Sequence, residues 1–593
     1  MAVCSSIGLG STLFPGVLWG MSQESSSPAA TPGPQPSPSP TPKKITAEMI
    51  AGAAAIAGVT IEDSQKQLML SLLNDQLKAY EKIRELHLPN DVQMALIFNP
   101  VLPGMSFERQ TRPMRLGRIT VARAPRNLED VAFASARELG ELVRTRKVSS
   151  SALTYMYLER LKRYDPLLKY MITYTEDRAR VQAREADREI AAGKYRGPLH
   201  GLPWGAKDLL AVKGYPTTWG AAGFEHQQIN QDATVVQRLD AAGAVLLGKT
   251  TLGALANGDV WFGGKTRNPW NPAEGSSGSS AGSASATAAG CMAFGIGSET
   301  LGSISSPSSR CGTTGLRPTF GRVPRSGGMA LTWSMDHLGP ICRSVEDCAI
   351  VMRAINGPDG HDRSTLNVPF NWDATLGPKT VRVGYIKADF EGKFKPDTES
   401  EQGMTAQEKA ERATFLERRR KDVAFLQSAL ARFPQLGIKP VPIELPNLPV
   451  DELQIILLAE SGAAFDELTR TGRDKLLTAQ AKDDWPNVWR AARFIPAVDY
   501  VNANRARTLW MEKMAEIFKN VDVLLASSDS DQLTITNLTG HPALILPNGF
   551  REDGTPSSLT FLGNLFGEEK LLAVAKAYQD LTGFHLKHPP LRA

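Results

Sequence analysis

Histidine and cysteine are scarce in this chain. Eight histidines and five cysteines are spread over 593 residues. The cysteines, at positions 4, 291, 311, 342 and 348, are odd in number and show no CxxC spacing. That excludes a disulfide framework and the usual zinc pattern, and it predicts free thiols. Excess charge is also missing. The net charge is +5 with 22% charged residues, so nothing points to a polyanionic partner such as nucleic acid. Basic runs such as Glu417 to Lys421 are short, sit among acids and read as solvated helix faces.

The first twenty residues carry no charge at all. They read as the apolar part of an export signal without its basic start, and Gly, Ser and Pro15 weaken them as a membrane span. Proline then recurs at alternate positions from Pro32 to Pro42, in a stretch that cannot build a core. Residues 1–44 are therefore expected to be an unstructured leader and linker. Export to the periplasm or outside the cell is the expectation, with a disordered cytoplasmic tail as the alternative. Stable membrane insertion is not expected.

From Glu62 to Leu86 apolar residues recur at Leu68, Leu72, Leu73, Leu77, Tyr80 and Ile83, which predicts an amphipathic helix docked on the main body. Residues 45–120 are expected to form a helical extension, and residues 121–593 one catalytic domain. In that domain GLPWGAKDLLAV reads as a strand, DATVVQRLDAAG as a helix, and AVLLGKT, VDVLLASS and PALILPNGF as buried strands. The alternation implies an α/β layered fold. The charged stretch from Asp389 to Glu460 reads as mostly helical.

Three motifs compete for the chemistry. GAVLLGKT, Gly243 to Thr250, matches the phosphate-loop spacing letter for letter. A phosphate loop needs a preceding strand and four residues that turn, whereas Ala-Val-Leu-Leu favours a buried strand and a helix comes before it. GSSAG, Gly278 to Gly282, matches the nucleophile elbow of α/β-hydrolases around Ser280, with His337 and His541 downstream. That elbow needs a strand leading in, and TRNPWNPAEGSS is a proline-broken loop.

The third candidate uses the two Ser/Gly-rich stretches, Gly275–Gly290 and Gly297–Gly312, together with Lys207. An amide-cleaving site without histidine needs a nucleophilic oxygen, a base and oxyanion donors. Lysine serves as the base only when neutral, hence desolvated. Apolar neighbours on both sides of Lys207 favour burial, and Asp208 beside it offers the competing reading of a plain ion pair. Gly302 lets backbone N–H groups approach a substrate oxygen.

The blocks HGLPWGAKDLLAVKGYPTTWGAAGF, DATVVQRLDAAGAVLLGKT, TRNPWNP, the long Ser/Gly-rich signature through GLRPTFGRVP, SMDHLGPICRSVEDCA and NLTGHPALILPNGF occur in this order. Together they resemble the amidase signature family, strongly from about Asn127 to Met352 and more loosely from Val521 to Leu581. The resemblance implies one α/β/α layered fold around a large mixed sheet. It implies an amidohydrolase that needs no organic cofactor or metal and acts on a small-molecule amide, and it is compatible with a homodimer. It also implies a Ser–cisSer–Lys triad with Ser303 as nucleophile, Ser279 as bridging serine, reached through a cis Gly278–Ser279 peptide, and Lys207 as base. Backbone N–H groups of Thr300, Leu301 and Gly302 would form the oxyanion hole. A glutamine-dependent amidotransferase A-type subunit is the alternative within the family. Three positions depart from the common pattern: Leu301 for glycine, Ser305 for arginine and Glu299 for aspartate.

Overall fold

The central strands are short, apolar and buried on both faces, which is how strands in the middle of a helix-covered sheet read. Pro203–Lys207 (β2) and Val245–Thr250 (β3) are buried at every position. The computed structural model describes residues 44–56, 59–85, 98–119, 123–394 and 406–591. In it these strands belong to an eleven-stranded sheet. The others are Met171–Tyr174 (β1), Phe294–Glu299 (β4), Thr314–Arg317 (β5), His337–Cys342 (β6), Val383–Ile386 (β7), Val441–Ile443 (β8), Val523–Ala526 (β9), Ala543–Phe550 (β10) and Pro556–Gly563 (β11). The order across the sheet is β1-β3-β2-β4-β6-β5-β10-β11-β9-β7-β8. β2 runs parallel to both β3 and β4, and the β4–β6, β6–β5, β5–β10 and β10–β11 pairs are antiparallel, so the sheet is mixed. This is the α/β architecture expected from the sequence.

Register fixes the neighbours of Lys207. It lies opposite Thr250 on one side, and Ala206 lies opposite Ile296 on the other. Three segments far apart in the chain thus end side by side. The letters GAVLLGKT form β3 rather than a phosphate loop: Lys249 and Thr250 are ladder residues, buried and paired with Ala206 and Lys207.

Two helices open the described chain, Ala47–Ile56 (α1) and Asp63–Arg84 (α2). α2 matches the helix expected from the leucine spacing. Met69 and Leu73 are buried in a small cluster with Ile50, Ile61 and Ala491, and Asn487 donates from Nδ2 to Leu68 O at 3.2 Å. Residues 98–119, expected to continue a helical extension, instead run without a helix and pair Arg115 with Asp373 in a single bridge. Proline at 100, 103 and 113 accounts for that. Within Asp389–Glu460 the helix Ala406–Leu430 matches the expectation. Val441–Ile443 does not, because it is the half-exposed edge strand β8, too short to show a period. The leader, the proline-rich stretch and Cys4 lie outside the described residues. The other four cysteines are free and buried. Among the described residues no helix is long and apolar enough to cross a membrane.

Candidate active site

Small residues let the two Ser/Gly-rich stretches interlock. The first becomes a loop and the helix Ala281–Ala288 (α3), buried along its whole length. A Cβ on Gly282 would stand 2.3 Å from Tyr170 O, and one on Gly297 would stand 2.7 Å from Ser280 Oγ. Glycine at these places is a packing requirement, since α3 lies directly on β4. The serines of this buried helix are satisfied: Ser283 Oγ donates to Ile296 O at 2.9 Å and Ser285 Oγ to Arg267 O at 2.8 Å. The apolar CMAFGI between the stretches supplies the turn after α3 and the start of β4.

The peptide between Gly278 and Ser279 is cis, as the resemblance implies. Gly278 sits so close to Gly258 O that an added Cβ would be 1.8 Å away. Ser277, with φ +60°, donates its N–H to Asp259 Oδ2 at 2.9 Å. The segment Gly258–Asp259 therefore braces the loop that carries Ser279.

Lys207 ends β2 and is fully buried. Its Nζ lies within hydrogen-bond distance of Ser279 Oγ at 2.8 Å, Ser280 Oγ at 3.1 Å, Ser298 Oγ at 2.8 Å and Ser298 O at 3.4 Å. Burial holds its pKa well below the ordinary lysine value, against the carboxylates of Asp336 and Glu299, which favour the charged form. The competing reading, an ion pair with Asp208, does not occur. Asp208 pairs with Lys249 at 2.6 Å, and Lys249 Nζ also donates to Pro216 O and Thr217 Oγ1, each at 2.7 Å.

The second stretch carries Thr300, Leu301, Gly302 and Ser303 between β4 and the helix Ser305–Cys311 (α4). Gly302 has φ +86°, where a side chain is strained, and an added Cβ would meet Ser306 Oγ at 2.9 Å. Leu301 is half-buried against the main core, so the bulk that replaces the usual glycine is absorbed by packing. Ser280 N–H donates to Ser303 O at 3.1 Å and ties the two stretches together. Among the described residues Ser303 Oγ has no hydrogen-bond partner. The elbow reading of Ser280 fits poorly: its Oγ donates to Ser298 O at 3.0 Å and accepts from Ser298 N–H at 3.1 Å, inside the packed interior. His337 and His541 are buried and held neutral, each pushed down to about 3, chiefly by burial.

Two features of this site escape sequence reading. Thr300 Oγ1 donates to Asp336 Oδ1 at 2.6 Å, and Asp336 also accepts from the N–H groups of Leu331 at 2.8 Å and Thr332 at 3.0 Å. The second is a cavity of about 220 Å³ that Ser298 and Thr300 border. Its apolar wall includes Leu209, Ala256, Met329, Leu331 and Leu338, with Trp333 also lining it. Of its charged lining groups, Arg325 pairs with Asp362 at 3.0 Å and donates to Ser364 Oγ and Trp333 O, whereas Asp336 is held by hydroxyl and N–H donors. Among the described residues no group of three or more His, Cys, Asp or Glu side chains is placed to hold a metal ion.

The end of a strand in the mixed sheet thus presents a buried lysine to hydroxyls on two glycine-rich stretches. The family model described as Amidase matches residues 152–533. The chain belongs to the amidase signature family. It is 33% identical over 498 residues to the A-type subunit of a glutamyl-tRNA(Gln) amidotransferase from Thermosynechococcus vestitus, covering 76% of this chain and 98% of that protein. The crystal structure of native peptide amidase from Stenotrophomonas maltophilia superposes with a TM-score of 0.65 at 28% identity, covering 78% of this chain and 99% of that one. A bacterial aryl acylamidase of the same family shares the fold, with a TM-score of 0.66 at 22% identity.

Proposed function

We propose that this protein is an amidohydrolase that cleaves an uncharged carboxylic amide through an acyl-enzyme on Ser303, with Ser279 and Lys207 as the proton relay. The observation that carries this reading is the buried Lys207 Nζ, 2.8 Å from Ser279 Oγ and, among the described residues, without a carboxylate in ion-pair contact. Burial holds such a lysine below its ordinary pKa and so favours the neutral form that can take a proton.

The chemistry follows from that placement. Neutral Lys207 takes the proton of Ser279, which takes the proton of Ser303. Ser303 Oγ bonds to the amide carbon, and the carbonyl oxygen becomes the oxyanion. Backbone N–H groups of Thr300, Leu301 and Gly302 face it; one such donor is worth on the order of 3 kcal/mol. The C–N bond breaks as the amine takes a proton back through Ser279. Water then releases the acid by the same route. The open hydroxyl of Ser303 suits the free enzyme, because catalytic hydrogen bonds often tighten only around substrate.

The cavity beside Thr300 supports an uncharged acyl group of modest size. Its cation, Arg325, is already paired with Asp362, and its remaining carboxylate, Asp336, is already engaged by Thr300 and two backbone N–H groups. The wall thus offers little to a ligand that carries both an ammonium and a carboxylate, and burying either charge without a partner is costly. Free glutamine carries both. The second reading, a glutamine-using amidotransferase component, rests on the printed name of the 33% identical relatives. Neutral aryl and alkyl amides should release amine or ammonia with the purified single chain, whereas glutamine should not. Turnover of glutamine alone, or none without added partner subunits, would reverse the choice.

A further inference from the structure

Glu299 stands at the end of β4, four residues before Ser303, and is fully buried. Its Oε2 accepts from Ile304 N–H at 2.9 Å, Ser305 N–H at 2.8 Å and Ser305 Oγ at 2.8 Å. These are the two residues that follow Ser303. Its Oε1 accepts from Asn537 Nδ2 at 2.9 Å and from Arg317 at 2.7 Å. Both partners of this ion pair are fully buried. The position where the family pattern carries an arginine, 305, holds serine. Among the described residues Arg317, on β5, is the cation in ion-pair contact with Glu299. Its other amino group is spent on Thr536 Oγ1 at 2.7 Å and His541 O at 2.9 Å, so the guanidinium is fixed at both ends.

We propose that Arg317 is a positioning residue for the reaction: through Glu299 it fixes the turn that carries Ser303. The inference rests on the Ser303–Ser279–Lys207 reading. Its consequence reaches Lys207 by charge. Ser298, next to Glu299, lies against Lys207 Nζ, and the groups around that nitrogen are the hydroxyls of Ser279, Ser280 and Ser298 and the carboxylates of Glu299 and Asp336. Asp336 is engaged by Thr300 and two backbone N–H groups, and Arg325 opposes its charge. Asp208 is engaged by Lys249. His337, whose Nδ1 hydrogen-bonds Glu299 O, stays neutral. Glu299 is thus the carboxylate whose influence on Lys207 depends on Arg317. Burial would push its pKa up, yet Arg317, Asn537 and the two N–H groups overcome this and hold it at about 2, so it is ionised throughout the working range.

The test is the pH profile of kcat/KM on a neutral amide, beside thermal melting, for the full chain. Arg317→Met leaves Glu299 uncompensated, which favours protonated Lys207. The acid limb should move up by about one pH unit, and kcat should fall by 10-fold or more. Arg317→Lys keeps the charge and should keep the limb in place. Glu299→Gln removes the carboxylate and should move the limb down, a readout that remains if Arg317→Met does not fold. Unmoved limbs in the variants that fold, with losses that merely track melting temperature, would overturn the proposal. Failure of the underlying reading looks different: Lys207→Ala would then retain the wild-type rate and profile.

Discussion

Asp208 and Lys249 form an ion pair at 2.6 Å with both side chains fully buried, and Lys207, next to Asp208 in the chain, has no part in it. Asp208 N–H extends the ladder by donating to Thr250 O at 3.0 Å. Along an extended chain successive side chains leave opposite faces. Lys207 therefore goes toward α3 and the serines, and Asp208 toward Lys249. A lysine beside an aspartate in sequence becomes a lysine without a counter-ion in space.

That pair predicts a stability effect. Lys249→Met leaves a buried carboxylate unpaired and should cost about 3–5 kcal/mol. Combining it with Asp208→Asn should recover much of the loss, because no lone charge remains. Denaturant melts of the three variants measure this. Tight ATP binding by the wild-type chain, lost in Lys249→Met, would instead restore the phosphate-loop reading of GAVLLGKT.

The division of labour in the triad is read by covalent labelling. Ser303→Ala should abolish turnover and the adduct with a serine-directed fluorophosphonate. Lys207→Ala should lose roughly 10²- to 10⁴-fold in turnover and still label slowly at high pH. Peptide mapping locates the adduct. A label on Ser280 would revive the hydrolase elbow, and one on Ser279 would exchange the roles of the two serines.

Activity should rise with pH and level off below the ordinary lysine range. Burial favours neutral Lys207, and only that form accepts a proton, so the enzyme is off at low pH and turns on as Lys207 loses its proton. Neither His337 nor His541 is expected to set this limb, since both are already neutral across it. A limb that follows a histidine, removed in His337→Gln, contradicts the lysine base.

Glycine at 278 and 297 should not tolerate alanine. The Gly278→Ala methyl would stand 1.8 Å from Gly258 O, a backbone atom that cannot swing aside. Gly297→Ala would press on Ser280 Oγ at 2.7 Å, beside the Lys207 contact. Both should lose most activity, Gly278→Ala more so. Gly193→Ala, at a turn with open space around it, serves as the control for expression and folding, with only the backbone cost of its φ of +80°.

Removing residues 44–85 should destabilise the catalytic body. It would strip Met69 and Leu73 from the cluster that covers Ala491, and break the Asn487–Leu68 and Lys475–Glu62 contacts. Exposed apolar surface of that kind promotes association. Static light scattering and melting of the truncated chain test this; an unchanged oligomeric state with an unchanged melt would count against it.

Local pattern carries far in this chain because burial imposes it locally. An apolar run such as Ala244–Leu247 favours a covered strand, and the leucine spacing of α2 favours a docked helix face. The order of the motif blocks was enough for the family and the mixed-sheet fold. The density of hydroxyl and glycine singles out the two stretches, and the resemblance to the family then marks Lys207, Ser279 and Ser303 as candidates. Partner choice is another matter. That Asp208 belongs to Lys249, that Glu299 belongs to Arg317 and Asn537, that Asp336 holds Thr300, and that a cavity lies beside it all depend on strand order and register. Charges attract across space without regard to spacing along the chain, and Glu299 reaches Asn537 over 238 residues. Sequence alone therefore names the groups, while the tertiary structure decides which of them remain unpaired, and the unpaired buried lysine is where the proposed chemistry begins.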